Sequence, residues 1–206
     1  EKETLGLYLT GHPIDQYLDE LRRFTTHQLS ELNPEKKHHI VIAGLIISMR
    51  TMTTKRGEKM GFFTIDDRSG RQEIILFAEK FQAFRELLIA DTVVVISGEL
   101  GMDYYSGNAR INVDHIYDFD GARNRFARRL EVPINHQQVN IDFIQDFKNL
   151  IEPFREGGNC PLNFRYTGEQ ASSVILLADQ WRVKPCKELL KRLETLTASC
   201  CKVLYY

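Results

Sequence analysis

The spacing of apolar residues changes twice along the chain. In residues 1–39 it is helical and predicts two short helices, one over 1–10 and one starting near Pro13 with Ile14 and Leu21 on its buried face. From Ile40 the period becomes that of β-strands, and it stays so, with one helical interruption, to about residue 120. The chain therefore begins with a helical lead-in that precedes a β-rich domain.

Residues 40–120 contain five strand-like runs. The first, HIVIAGLIISMRTMTT, is long and contains Gly44, which predicts a bulge or bend. MGFFTIDD and RQEIILF follow as a hairpin, the helical run AEKFQAFRELL comes next, and Thr92–Met102 and ARINVDHIYDF end the series. The order β-β-β-α-β-β with a long, bent first strand predicts an OB-fold, a five-stranded, partly open barrel.

The remaining residues predict a basic linker helix over 121–130 and a small α+β domain over 131–206. In that domain a strand LEVPI, a helix over 140–154, the strands CPLNFRY and SSVILLADQWRV, a helix over 184–196 and a last strand CCKVLYY follow one another. This order, βαββαβ, is that of a split βαβ unit.

Composition excludes several classes of protein. The apolar runs are strand-sized, well short of the ~20 residues that a membrane span needs, and no secretory signal opens the chain. None of the four cysteines forms a C-x-x-C pair, although Cys160 and Cys186 could meet in space. We therefore expect a cytoplasmic, reduced protein without a membrane, a disulfide framework or a zinc ribbon. The first residue is Glu1, so we expect a piece of a longer protein.

Basic charge is local rather than general. The formal net charge is −1, and residues 40–120 hold nine basic and twelve acidic residues. The segment ARNRFARRL has four arginines and no acid, although a solvated linker helix explains it more simply than a phosphate contact does. A protein that grips nucleic acid over a whole face is basic throughout. Any binding here should be weak and salt-sensitive.

No catalytic centre or metal site is predicted. Asp66 and Asp67 are adjacent on a strand and point to opposite faces, so hairpin-turn residues are the favoured interpretation. His38 and His39 lack a third ligand at useful spacing. We expect no cofactor in this chain.

The two loops that flank the ligand groove of an OB-fold are more informative. Cations on or beside one loop could contact phosphates, and aromatic residues on or beside the other could stack on bases. An ordinary exposed hairpin and a cap on the barrel are the structural alternatives. Only one of Phe62 and Phe63 can face the core, so Phe62 is a further candidate stacking platform. The predicted nucleic-acid contacts are Arg50, Lys55, Arg56, Lys59, Phe62, Tyr104, Tyr105 and Arg110.

In the last domain, Trp181 and Arg182 are of the residue types enriched at interface hot spots, although a buried tryptophan is the default interpretation. The final strand ends in Tyr205 and Tyr206, and an exposed edge there would favour strand addition by a partner. These four residues are the predicted partner contacts.

Three segments together resemble a known family: EKETLGLYLTGHPIDQY, TKRGEKMGFFTIDDRSGRQEIILF and VVVISGEL. They are similar to the C-terminal part of the bacterial DNA polymerase III alpha subunit. The likeness is specific over about residues 1–120, and from 121 onward it is looser and is carried by DQWRVKP and the α+β pattern.

The resemblance implies a fragment of a DNA-directed DNA polymerase, a nucleotidyltransferase of chromosomal replication, without its catalytic residues. The Mg²⁺-dependent site and the motif that binds the sliding clamp would lie upstream. It implies template contacts at Arg50, Lys55, Arg56 and Lys59, and contacts near Trp181 and the tail with the tau subunit of the clamp loader. Single-stranded DNA, tau and the rest of the polymerase III holoenzyme are the expected partners.

Three alternatives stay open. An anticodon-binding OB-fold of an aminoacyl-tRNA synthetase carries a similar F-x-x-L/I-x-D-x-S-G pattern but does not explain LGLYLTGHP. A protein-interaction adaptor that binds no nucleic acid is consistent with the near-neutral charge. The error-prone polymerase paralogue would share the OB-fold but is expected to lack a tau-binding tail.

Overall fold

A computed structural model of the protein describes residues 13–103, 107 and 109–205. The chain divides into two compact units between Phe119 and Asp120. Unit 1 contains the lead-in and five strands, and unit 2 contains four strands. The helix predicted over 1–10 lies outside the described residues.

The lead-in of unit 1 consists of short helical turns. The turn Asp15–Tyr17 continues into α1 (Leu18–Leu21), and a separate turn covers Leu29–Glu31. Ile14 and Leu21 are buried, as the helical spacing predicts.

The five strands of unit 1 form one antiparallel sheet in the order β3-β2-β1-β4-β5. Helix α2 (Ala78–Phe84) connects β3 to β4. The edge strands β3 and β5 are linked where Gln72 Nε2 donates a hydrogen bond to the Ala109 carbonyl oxygen at 3.1 Å. The expected OB-fold is confirmed. The strands are β1 (His38–Thr53), β2 (Lys59–Asp66), β3 (Arg71–Leu76), β4 (Val93–Met102) and β5 (Ala109–Tyr117).

Strand β1 belongs to both halves of the barrel. Its first half pairs with β4 as far as Leu45, and its second half pairs with β2 from Leu45 to Thr53. The register on the β2 side shifts between Ile46 and Ser48 and not at Gly44, where the sequence predicts the bend. Gly44 instead permits close packing, because a Cβ there would lie 2.9 Å from the Cβ of Ile65.

The first half of β1 is buried on both faces, which removes the usual alternation. Ile40, Ile42 and Ile46 belong to the barrel core. Along the edge that does not pair with β4, the lead-in is hydrogen-bonded to the strand: the Thr26 amide donates to the Val41 carbonyl at 2.8 Å, and the Val41 amide donates to Thr26 Oγ1 at 2.9 Å. The lead-in is therefore part of the packing of unit 1.

Unit 2 has a four-stranded mixed sheet in the order β8-β7-β6-β9. The β6–β7 pair is parallel and requires a crossover, which α4 supplies, whereas the β7–β8 and β6–β9 pairs are antiparallel. The expected βαββαβ order is confirmed. Its elements, with the helix at the unit boundary, are α3 (Phe119–Phe126), β6 (Arg129–Asn135), α4 (Ile141–Ile151), β7 (Leu162–Thr167), β8 (Ser172–Leu176), α5 (Lys187–Thr197) and β9 (Lys202–Leu204).

The strand predicted over 172–183 is too long. Pairing with β7 ends at Leu176, and the chain then forms a 3-10 turn over Asp179–Trp181. Trp181 therefore lies on this turn and not on a strand. Strand geometry returns only at Val183, which forms an isolated bridge with Cys160.

Burial corrects two further expectations in unit 2. Tyr205 is only 1% exposed and belongs to the core, so its side chain is closed to a partner in this fold.

The basic segment is not a freely solvated helix, because Ala122 and Arg123 are buried. Arg123 Nη1 donates to Asp120 Oδ1 at 3.0 Å, and Asp120 Oδ1 also accepts from the Lys187 amide that opens α5. Tyr206 lies outside the described residues.

Two glycines of β4 test the packing of the barrel. A Cβ at Gly98 would lie 2.3 Å from the Asn112 carbonyl oxygen, whereas nothing lies within 4 Å of one at Gly101. Because the backbone of β5 must move, we expect Gly98→Ala to lower the free energy of unfolding by about 2 kcal/mol. Gly101→Ala should change it by no more than about 0.5 kcal/mol. Urea unfolding measures both, and equal midpoints for the two variants would contradict the packing.

Candidate nucleic-acid interface

The outer side of strands β1, β2 and β3 carries a cation on an aromatic ring. Phe63 points into the core and is buried, so Phe62 faces outward and is half-buried. The Cζ atom of Arg50 lies 4.4 Å from the centroid of the Phe62 ring, and Arg50 Nη2 lies 2.9 Å from Glu73 Oε1. A guanidinium at this distance makes a cation–π contact. The Arg50–Glu73 pair is exposed and contributes little to stability.

The turn after β1 presents three exposed cations, Lys55, Arg56 and Lys59. Its shape comes from Gly57 at φ +82° and from a hydrogen bond of 2.8 Å between the Thr54 amide and the Glu58 carbonyl. Within the described part of the chain, none of the three cations has an acidic partner within ion-pair distance. Their charges are therefore available to an anionic ligand.

A cleft of about 360 Å³ follows the seam between β3 and β5. Its lining includes Glu73, Ile75 and Arg110. Next to it, Phe77 is 51% exposed, and the Cζ atom of Arg110 lies 5.5 Å from the centroid of its ring. The seam thus carries a second cation–aromatic pair.

Phe77 is a candidate contact that the sequence analysis does not single out. The sequence predicts it as the last residue of the third strand, and strand alternation places it on the outer side with Glu73 and Ile75, opposite the buried Ile74 and Leu76. That alternation is the signal that could have found it. The side chains that face outward on or directly after these strands are Arg50, Phe62, Glu73, Ile75 and Phe77.

The second predicted loop is only partly described. Tyr104 and Tyr105 lie outside the described residues, so their role as stacking residues stays a prediction. Asp103 lines the seam cleft together with Glu73. These two carboxylates line the cleft together with Arg110 and oppose the approach of a phosphate there.

The paired aspartates have structural roles. Asp67 Oδ1 accepts from the amides of Ser69 and Gly70, and its Oδ2 accepts from the Leu29 amide at 2.8 Å. Asp66 accepts from the Arg68 amide and pairs with Arg71 Nε at 2.8 Å. Their interpretation as hairpin-turn residues agrees with these contacts, which also tie the β2–β3 turn to the lead-in.

The histidine pair also has local partners. His38 Nε2 lies 3.4 Å from His27 Nε2, and His39 Nε2 lies 3.3 Å from Asp114 Oδ2. Among the described residues, no three metal-ligating side chains of histidine, cysteine, aspartate or glutamate cluster together.

The four cysteines are free thiols, so Cys160 and Cys186 form no disulfide. Burial raises the pKa of the Cys160 thiol to about 12. Burial, with the neighbouring Glu194 carboxylate, likewise raises the pKa of Cys201 to about 12. The hydrogen bond from Cys200 to Glu194 raises the pKa of Cys200. These three thiols therefore stay protonated at neutral pH and are poor nucleophiles.

Two of the predicted partner contacts in unit 2, Trp181 and Arg182, are partly exposed. Trp181 is partly exposed, and the Cζ atom of Arg155 lies 5.4 Å from its ring centroid. Arg182 pairs with Asp179 at 2.8 Å and donates to the Asn159 carbonyl, also at 2.8 Å. Arg182 thus holds the turn that presents Trp181.

Two family models match the chain. An OB-fold nucleic acid binding domain matches residues 40–119. The C-terminal domain of DNA polymerase III subunit alpha matches residues 146–197.

Curated relatives match almost the whole chain. The DNA polymerase III alpha subunit of Vibrio cholerae is 40% identical over 95% of this chain and 17% of its own length. The alpha subunit of Escherichia coli is 36% identical over 97% of this chain and 17% of its own length. The chain thus spans about a sixth of these relatives. A solution structure of the second OB-fold domain of replication protein A from Methanococcus maripaludis is 21% identical, with a TM-score of 0.34, and covers 45% of this chain and 93% of that one.

These relatives confirm the family resemblance derived from the sequence. They favour the polymerase over an aminoacyl-tRNA synthetase, since the matches at 35–40% identity are all alpha subunits. Among the described residues, no helix is both long and apolar enough to cross a membrane.

Phe77→Ala tests the seam. Phe77 is half-exposed, so we expect a small effect on stability, whereas loss of a stacked base should weaken oligo-dT binding about tenfold. The salt dependence should stay as it is, because no cation is removed. Fluorescence anisotropy at several salt concentrations measures both quantities. The control is Ile89→Ala, an exposed residue outside the seam. Unchanged affinity in Phe77→Ala would exclude Phe77 from the interface.

Proposed function

We propose that this chain, which is related to the C-terminal region of DNA polymerase III alpha subunits, holds single-stranded template DNA on unit 1 and docks a protein partner on unit 2. One observation supports the DNA part most directly: Arg50 and Phe62, in contact with each other, lie on the two strands that the turn with the exposed cations Lys55 and Arg56 connects. Single-strand binding needs cations for phosphates next to aromatic surfaces for bases.

Each group on unit 1 has a distinct part in this proposal. The cations of the β1–β2 turn contact phosphates, and their release of counterions makes binding salt-dependent. Phe62 and Phe77 offer ring surfaces to bases, and Arg50 and Arg110 lie against those rings. Nothing in this arrangement reads base edges, so the proposed binding is tolerant of sequence.

Polymerisation itself is assigned to the rest of the longer protein. The related alpha subunits are about six times the length of this chain. In this proposal their Mg²⁺-dependent nucleotidyl transfer uses upstream residues, and the fragment positions the template strand and the holoenzyme partners.

The proposed partner of unit 2 is the tau subunit of the clamp loader. The family model for the C-terminal domain of the alpha subunit supports this assignment by position, since it covers residues 146–197 of unit 2. The partly exposed Trp181, with Arg155 on one side, is a candidate anchor. Tryptophan and arginine are the residue types that most often dominate interface energies.

The double charge reversal Lys55→Glu, Arg56→Glu tests the DNA part. Loss of two phosphate contacts should weaken oligo-dT binding and lower the log–log salt slope by about 1.4. The matched control is Lys36→Glu, Arg85→Glu. It changes the net charge by the same amount, on exposed residues that lie outside the β1–β2 turn. Anisotropy titrations from low to physiological salt give both numbers. If the two double variants behave alike, only overall charge matters and the turn is not a binding site.

Trp181→Ala tests the partner contact. If Trp181 is an anchor, we expect tau affinity to fall about thirtyfold or more, since a hot-spot residue contributes at least ~2 kcal/mol. Trp181→Phe should recover part of the affinity, because a ring still packs on Arg155. Calorimetric titration with tau measures each variant, and circular dichroism verifies the fold. A folded Trp181→Ala chain that binds tau with full affinity would assign Trp181 to packing alone.

A further inference from the structure

Unit 2 concentrates its exposed hydrophobic residues in one region. All six of the large hydrophobic side chains that are exposed in the described part of unit 2 lie on α4, on β8 or just before α4. Ile141 is 85% exposed and Leu176 is 71% exposed. Three of the six, Val139, Ile144 and Ile175, line one groove, and exposed apolar residues clustered in this way mark an interaction site. The six residues are Val139, Ile141, Ile144, Val174, Ile175 and Leu176.

A groove of about 420 Å³ lies within this region, between α4 and the hairpin β7–β8. Its lining is almost wholly apolar. Phe143 and Phe147 of α4 and Ile134 of β6 are buried, and Phe147 packs on Phe164 with ring centroids 4.7 Å apart. Ile144 and Ile175 complete the lining on the exposed side. Of the predicted partner contacts that the structure describes, Trp181, Arg182 and Tyr205, none lines this groove.

Strand β8 forms one side of the groove and is the edge of its sheet. Within the described residues β8 pairs only with β7, so its outer backbone groups have no strand partner. Every residue of β8 is exposed. Such an edge carries neither a charge nor a proline to block pairing, and it is a template for an added strand.

The exposed charges of α4 and of the β7–β8 turn are mainly acidic. Asp142 and Asp146 are exposed on α4, directly before the groove residues Phe143 and Phe147 in sequence. Glu169 is 80% exposed in the turn between β7 and β8. Lys148 is the one exposed base on α4. This surface therefore complements a partner whose apolar segment is flanked by lysine or arginine.

We propose that unit 2 binds an extended segment of its protein partner by strand addition to β8, with apolar side chains in the groove and basic residues at the segment's ends. Alternation places Ser173 and Ile175 toward the groove and Val174 and Leu176 on the opposite face. Alternate side chains of the added strand would then lie beside Ser173 and Ile175 on the groove face and beside Val174 and Leu176 on the opposite face. This inference rests on the proposed function, because it names the surface of unit 2 that docks tau.

The experiment compares two isoleucines of equal exposure in the 206-residue chain. Ile144→Glu alters the groove, and Ile89→Glu is the matched control in unit 1, the residues being 57% and 58% exposed. Tau is the probe, in calorimetric titration. Ile144→Glu should weaken binding about tenfold or more, and Ile89→Glu should not. Hydrogen exchange of the unaltered chain should show protection of the amides of β8 when tau binds.

The outcomes separate the two proposals. If the unaltered chain does not bind tau, the proposed function fails and this inference fails with it. If it binds and Ile144→Glu binds equally well, only the groove is excluded. Weaker binding of Ile144→Glu without protection of β8 would contradict strand addition and indicate a helix or loop in the groove. The proposal would also be overturned if the unaltered chain forms a dimer that Ile144→Glu dissociates, and if tau leaves the amides of β8 unprotected. A second copy of the chain would then be the occupant of the groove.

Discussion

The double pairing of β1 is the constraint on which unit 1 depends. The first half of this strand lies in the barrel, paired with β4 on one edge and hydrogen-bonded to the lead-in on the other, while its second half pairs with β2 alone. Because the second half extends away from β4, Arg50 faces outward and the next turn displays its cations to solvent. The apolar core thus determines where the polar binding groups lie, and the lead-in contributes by holding the buried half of the strand.

Local charge explains how a nearly neutral chain can still hold a polyanion. Several cations of unit 1 are engaged with acids, as Arg71 is with Asp66 and Lys37 with Glu99, whereas those of the β1–β2 turn are not. Attraction of an anion is therefore strongest at the β1–β2 turn, whereas the carboxylates of Glu73 and Asp103 line the seam cleft beside Arg110. Unit 2 differs in kind, since it exposes an apolar groove between α4 and the β7–β8 hairpin.

Much of the fold could be predicted from the sequence, because the alternation of MGFFTIDD and the turn RSG are local signals that the packing does not override. The order of all nine strands and the outward position of Phe62 follow from such signals. The remaining features of the fold depend on tertiary contacts. Tyr205 is terminal in sequence but buried, and the strand predicted through Trp181 ends where pairing with β7 ends. The apolar groove of unit 2 was missed because its residues come from four separate elements.

Unit 1 is proposed to hold single-stranded DNA through few phosphate contacts. Fluorescence anisotropy of labelled oligo-dT with the unaltered chain, titrated from low to physiological salt, tests it most directly. We expect micromolar binding at low salt, with a log–log slope of about −2 to −3 if three or four phosphates are neutralised. Absence of binding at the lowest salt concentration would contradict the claim and leave the chain as a protein-docking module.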